Sequence, residues 1–253
     1  MVCERRRLSK GGFYKMRLIF IRHGDPDYEH DSLTEKGRRE AQILAERFKT
    51  WENIDYIYNS PLGRAKETCE YSLKVSGRTS ETLDFLEEVP FQIYHPDYDR
   101  PHVPWDYFPA TFSPEAGYYD RDRWFDTGVY KDSGLKEYYY KTVQAFDEVL
   151  ARHGLRRNDQ GFYETDEDSD KTLVFFCHYG ITSLLTGHIT GIAPPCLWQG
   201  FFIATTGVTV LNTDNRDREK TGFRVQVWGD VSHLLKAGEP VSPSGYFGDI
   251  FGG

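Results

Sequence analysis

Met16 to Ile21 (MRLIFI) is an almost unbroken apolar run that stops abruptly at Arg22-His23-Gly24-Asp25-Pro26. Apolar side chains on both faces of so short a run predict a strand buried between two layers, as in a parallel sheet. Downstream, Ala41, Leu44, Ala45 and Phe48 recur at i, i+3, i+4 and i+7 with charges between them, and Thr34 stands where an N-cap belongs. That pattern predicts an amphipathic helix. Ile54 to Asn59 (IDYIYN) reads as another strand, broken by Ser60-Pro61, and Leu62 to Val75 has helical character. Strand, crossover helix and strand make a βαβ unit.

The first pattern returns late in the chain. Thr172 to Cys177 (TLVFFC) is an apolar strand that stops at His178-Tyr179-Gly180, followed by the helix-like ITSLLTGHI. Leu135 to Ala151 predicts a helix, 156–171 a polar, acid-rich loop, and Ala204 to Leu211 and Phe223 to Trp228 two β-rich segments around a turn. Between the halves, Pro90 to Lys131 is dense in Tyr, Trp, Phe, Pro and Asp and has little periodicity. The expectation is one α/β domain over 16–253 with an aromatic insertion at about 90–140, most of whose rings pack a satellite core while some face the site.

A chain of 253 residues with 39% hydrophobic positions can bury the core of one domain with an insert. Its net charge of −8 supplies no basic field, which argues against nucleic-acid and anionic-membrane partners. No apolar run reaches the ~20 residues of a membrane span. Cys3, Cys69, Cys177 and Cys196 show no CxxC spacing. Reduced thiols and a cytoplasmic location are expected. Residues 1–15 carry Arg5, Arg6, Arg7, Lys10 and Lys15 against Glu4 and read as a solvated extension or a translation artefact, with Met16 a candidate start. N-terminal mass spectrometry of protein made from the native gene distinguishes the two.

Ligands of open α/β sheets bind beyond the carboxyl ends of the strands. Two strands here end in histidine, and a third leads into Ser60-Pro61-Leu62-Gly63-Arg64-Ala65. If those strands are neighbours, His23, His178, Arg22 and Arg64 converge. Two guanidiniums suit a phosphoryl dianion, helix N-termini add free N–H donors, and a neutral histidine among them is a nucleophile toward phosphorus. Each residue alone is as readily structural; the conjunction carries the reading.

Quoted from this chain, LIFIRHGD, LTEKGRREA, YNSPLGRAKET, LEEV, LVFFCHYG and GDVSHL resemble the histidine phosphatase superfamily in its phosphoglycerate-mutase-like branch, branch 1. The resemblance spans Met16 to Leu235 apart from the insertion. It implies a three-layer α/β/α fold with a mostly parallel central sheet, the insertion acting as lid. It also implies a phosphohistidine mechanism needing neither metal nor cofactor, on a small phosphate monoester. His23 matches the nucleophile, Arg22 and Arg64 the phosphate-binding arginines, and His178 the second pocket histidine. The family's acid falls in Leu86-Glu87-Glu88-Val89, where Glu88 is the better match and Glu87 the fallback; strand alternation would let only one face the pocket. Two departures stand out. Asp27, Tyr28 and Glu29 do not match the small polar residue expected beyond RHG, and HYG replaces the usual HGG, which puts Tyr179 at the pocket edge.

Rival chemistries fail on spacing. No cysteine has an arginine six positions on, Asp120-Arg121-Asp122 lacks a preceding apolar strand, and HExxH is absent. Asp166 to Asp170 imitates a calcium loop, yet Lys171 replaces the glycine it needs. A mutase would need extra basic residues near the site, whereas Pro90 to Glu137 holds nine acidic residues against five basic ones. Hydrolysis is therefore expected, with mutase-type transfer or non-catalytic phospholigand binding as the alternatives.

Overall fold

The computed structural model describes residues 16–165, 171–216 and 220–245; the N-terminal extension and the acidic run 166–170 lie outside them. The apolar runs become the centre of a six-stranded sheet. Its strands are β1 (Arg17–Arg22), β2 (Tyr56–Asn59), β3 (Glu81–Thr82), β4 (Thr172–Cys177), β5 (Val208–Asp214) and β6 (Gly222–Asp230), in the order β6-β5-β1-β4-β2-β3. Strands β1, β4, β2 and β3 are parallel, and β5 and β6 join antiparallel.

Strand alternation divides the core in two. Leu18, Phe20, Tyr58, Leu173 and Phe175 turn to one face, against Phe146 of α3 (Leu135–Arg152) and Ile181 of α4 (Tyr179–Thr190). Ile19, Ile21, Ile57, Val174 and Phe176 turn to the other, against Leu44 and Phe48 of α1 (Glu35–Phe48) and Cys69 of α2 (Gly63–Ser76). Helices cover both faces, which is why the central strands are apolar throughout rather than alternating. This is the three-layer architecture expected.

The N-terminus of α1 follows the sequence closely: Thr34 caps it, its hydroxyl accepting the Gly37 N–H at 3.0 Å. Three segments differ. Residues 156–171, expected as a polar loop, include a hairpin of Leu155–Arg157 with Tyr163–Thr165, in which Leu155 and Tyr163 are buried under otherwise polar sequence. The run that begins at Ala204 becomes a strand only at Val208, because Thr206 takes a left-handed φ of 55° and gives its N–H to the His23 carbonyl at 3.1 Å. Around the family-like acid, Asp84–Leu86 form a turn of 3₁₀ helix rather than a strand.

In the insertion, Tyr107, Phe112, Tyr118, Trp124, Phe125 and Tyr130 are buried and belong to the same cluster as Trp198 of α5 (Pro194–Gly200), a satellite core continuous with that of the sheet. Tyr94, Tyr98, Phe108 and Tyr119 remain exposed.

Helix α1 holds the loop after β1 by backbone contact. A Cβ on Gly24 would lie 2.7 Å from the Gly37 carbonyl oxygen, and one on Gly37 would collide with the Asp25 carbonyl. In an exposed helix interior, replacing glycine by alanine stabilises by about 1 kcal/mol. Gly37→Ala is expected to do the reverse, lowering Tm in a thermal melt; a Tm at or above that of the parent would show that the loop yields freely.

Candidate active site

The register of β1 on β4 pairs Arg22 with Cys177, and the His23 N–H donates to the Cys177 carbonyl at 3.0 Å. The next residues on the two strands are thus neighbours, and the rings of His23 and His178 lie with centroids 5.0 Å apart. Strand β2, on the far side of β4, delivers Ser60 and then Arg64 in the first turn of α2. His23, His178, Arg22 and Arg64 are therefore brought together at the carboxyl edge of the parallel strands, where open α/β sheets bind ligands.

Both histidines are buried. Burial, then the charges of Arg22 and Arg64, hold His23 well below the ordinary imidazole pKa. Its Nδ1 lies 2.7 Å from the Gly24 carbonyl, which can only accept; Nδ1 therefore carries the proton and Nε2 a free lone pair. His178 is likewise held well below the ordinary value by burial, His23 and the two arginines. Its Nε2 sits 2.8 Å from the Ser60 hydroxyl, which also accepts the Leu62 N–H at 3.2 Å. Ser60 can then give its own proton to Nε2, leaving Nδ1 of His178 as a donor.

Three buried nitrogens around His23 have no hydrogen-bond partner: Nε of Arg22, Nε of Arg64 and Nδ1 of His178. Their other contacts fix them in place. Arg22 Nη1 donates to the Ile203 carbonyl at 2.5 Å, and Arg64 Nη1 to Asp31 at 2.7 Å. Buried donors without partners are rare and costly. Three around one imidazole make a site for an oxyanion.

Glu88 reaches this group and Glu87 does not; Glu87 is exposed. The Glu88 carboxylate accepts the N–H groups of Gly180 and Ile181 in the first turn of α4, each at 2.9 Å, and that of Val89 at 2.9 Å. It thereby caps a helix whose own N-cap position, His178, makes no side-chain cap. Burial pushes its pKa up, against those three N–H groups and Arg22, which pull it down. The ring of Trp105 closes on the same turn: a Cβ on Gly180 would strike Trp105 and lie 2.6 Å from a Glu88 oxygen. Tyr179 is buried, with its hydroxyl 2.5 Å from the Trp198 carbonyl and its ring edge-on to Trp105.

Several supporting residues escaped the sequence reading. Thr68 accepts the Gly24 N–H at 3.0 Å, and Glu40 the Asp25 N–H at 2.9 Å. Asp31, in a left-handed turn, bridges Arg64 and the Gly63 N–H. Ser242 donates to Asp25, and the backbone at Gly245 lies against Phe202 and Arg22. Thr68 and Glu40 stood inside the motifs YNSPLGRAKET and LTEKGRREA; nothing local marked Asp31 or Ser242. Tyr28, noted as a departure, lies with its ring 5.4 Å from the Arg64 guanidinium. Among the described residues no group of three or more His, Cys, Asp or Glu side chains is placed to hold a metal ion.

The chain is similar to several known proteins. The chain is 25% identical over 247 residues to phosphoglycerate mutase-like protein 4 of Arabidopsis thaliana, covering 92% of each. A shorter match, 35% identical over 71 residues, is to a probable phosphoglycerate mutase of Photorhabdus laumondii, covering 24% of this chain and 33% of that protein. Among solved structures, a phosphoserine phosphatase of Entamoeba histolytica superposes with a TM-score of 0.56 at 20% identity, over 87% of this chain and all of that one. A mycobacterial glucosyl-3-phosphoglycerate phosphatase superposes at 0.54 and 18%, over 85% and 99%. The family model described as histidine phosphatase superfamily (branch 1) matches residues 18–103, the segment that carries Arg22, His23, Arg64 and Glu88. Over residues 18–103 the chain is thus similar to the histidine phosphatase superfamily, branch 1.

Proposed function

We infer that this protein hydrolyses small phosphate monoesters through a phosphohistidine at His23, without a metal. The observation that carries the reading is the set of three unpartnered buried donors on Arg22, Arg64 and His178 around an imidazole that burial keeps neutral. Relatives named for phosphoserine and glucosyl-3-phosphoglycerate act on compounds of this class. The acidic balance of the insertion favours transfer to water over return to a second anionic substrate.

In the proposed reaction the phosphoryl group rests on the two guanidiniums and His178, and Nε2 of His23 attacks phosphorus in line with the ester oxygen. The P–O bond breaks as the P–N bond forms. The proton that the leaving alkoxide needs comes from Glu88. A dianion arriving beside Glu88 adds to the effect of burial and favours its protonated form. Water then attacks the phosphohistidine, its proton passing to Glu88, and inorganic phosphate leaves. Arg22 and Arg64 supply the positive charge a metal provides elsewhere. Phosphate-monoester hydrolysis is among the slowest uncatalysed reactions, so attack, charge stabilisation and proton donation are all needed.

Rapid acid-free quench with a labelled monoester is expected to trap an acid-labile phosphate on His23, and EDTA to leave turnover unchanged. Near-parental activity in His23→Ala would end the proposal. A phosphoenzyme that resists water but is discharged by a phosphoglycerate would favour the mutase reading. Arg64→Lys is expected to lose part of the about 10²- to 10³-fold that one transition-state donor supplies, because it keeps the charge without the planar fork. Full activity would make that geometry unimportant.

The pH profile separates the two titrating groups. His23 becomes protonated only well below pH 6.5, so no acid limb due to it is expected near that value. Glu88 loses its proton as pH rises through its raised pKa, so turnover of an alkyl phosphate should fall there while that of p-nitrophenyl phosphate, whose leaving group needs no proton, should not. Glu88→Gln should likewise cost alkyl substrates most, and Glu87→Gln little. The reverse ranking would assign the acid to Glu87.

A further inference from the structure

The insertion reaches the acid of the site through one aromatic ring. At Gly180 a Cβ would lie 2.7 Å from Cη2 of Trp105 and 2.6 Å from Oε1 of Glu88. Ring and carboxyl thus close on the same α-carbon, and the glycine of His178-Tyr179-Gly180 leaves them the room. The ring is edge-on to Tyr179 at 5.8 Å and 6.1 Å from Trp198, whose Nε1 donates to the Gly180 carbonyl at 3.0 Å. Its backbone is anchored on both sides. The Tyr130 hydroxyl donates to the Pro104 carbonyl at 2.7 Å, and His95 Nε2 to the Asp106 carbonyl at 2.9 Å. The buried His95 ring stacks on Tyr107, centroids 4.1 Å apart. Trp105 is half-buried and packs on the main core, so a fixed apolar surface lies beside the carboxyl.

That surface matters because Glu88 is pulled both ways. Its three backbone N–H donors and Arg22 favour the carboxylate, and burial favours the acid. The other titratable groups facing it are Cys177 at the end of β4, Tyr138 on α3 and Tyr179 on α4. None is charged near neutral pH: burial pushes the thiol up to about 12 and raises both phenols. The neighbouring Glu87 is exposed. With no carboxylate pressed against it to hold the proton, Glu88 depends on the exclusion of water.

We propose that Trp105 is a positioning residue for the acid: its ring shuts water away from the Glu88 carboxyl and so preserves the proton that an alkoxide leaving group needs. The proposal deepens the monoester phosphatase reading above and takes the role of Glu88 from it. Trp105 acts through Glu88, while the reacting atoms belong to His23, Glu88 and the substrate.

The test follows Glu88 by two readouts. In kcat/KM profiles with an alkyl phosphate, the limb on which activity falls as pH rises should move to lower pH by about one unit in Trp105→Ala, because water then stabilises the carboxylate. The profile with p-nitrophenyl phosphate should show no such displacement. Trp105→Phe, which keeps an apolar ring, should hold the limb close to its parental position. Carbon-13 NMR titration of the side-chain carboxyls, with Glu88→Gln assigning the resonance, should give the same order in the free protein. If Trp105→Ala does not fold, Trp105→Gln puts a polar group in the same space and should move the limb in the same direction. A limb and a resonance that stay in place without the ring would overturn the proposal, as would a shift in Trp105→Phe equal to that in Trp105→Ala. So would a loss shared by alkyl and aryl esters at every pH, which would make Trp105 a packing residue only. If no monoester is turned over, the phosphatase reading fails, and the NMR titration still decides whether Trp105 keeps water from Glu88.

Discussion

The in-register parallel pairing of β1 with β4 is the constraint on which the site depends. Because Arg22 faces Cys177 across the ladder, the strands end together, and the first residue past each is a histidine. A slip of one residue would turn every apolar side chain of β1 from one core to the other, so the register is fixed by burial on both faces rather than by anything in the site. The placement of two imidazoles side by side is inherited from packing. Helix α1, pressed on Gly24 through the bare backbone of Gly37, then leaves the following loop one path.

That placement creates an electrostatic problem. Two guanidiniums and two imidazoles share one buried end of the sheet, and the fold resolves their mutual repulsion by keeping both rings neutral. A neutral ring keeps the lone pair that the nucleophile of the proposed reaction needs. The same burial raises the Glu88 carboxyl, so one cause moves both the imidazoles and the acid toward their neutral forms. Asp31 balances Arg64 from outside, whereas Arg22 meets a carbonyl and keeps its charge less compensated.

Much of this was legible in the chain. Strands buried on both faces announce themselves as apolar runs, and a helix with one apolar stripe and a threonine cap is equally plain, so β1, β4, α1 and α2 could be placed within a residue or two. His23, His178, Arg22 and Arg64 followed from their positions at the ends of those elements. What could not be read depends on contacts between distant segments. Asp31 and Ser242 act through partners that only the folded chain brings near, and the hairpin at Leu155 and Tyr163 hides its buried positions in polar sequence. Glu88 and Glu87 were not separated by alternation along a strand. A 3₁₀ turn and the need of α4 for a cap separate them.

The contact of Ser242 with Asp25, and of Gly245 with Phe202 and Arg22, bears on how the protein is handled at the bench. A fusion spliced directly after Gly245 would leave the protein beside Phe202 and Arg22, where its linker would compete for the space next to that guanidinium. Met16, by contrast, enters β1 at the edge of the sheet opposite the site, one strand length away, and its backbone N–H is tied to Thr213. Attachment at Met16 itself would lie a strand length from the site, and attachment at Gly245 beside Arg22.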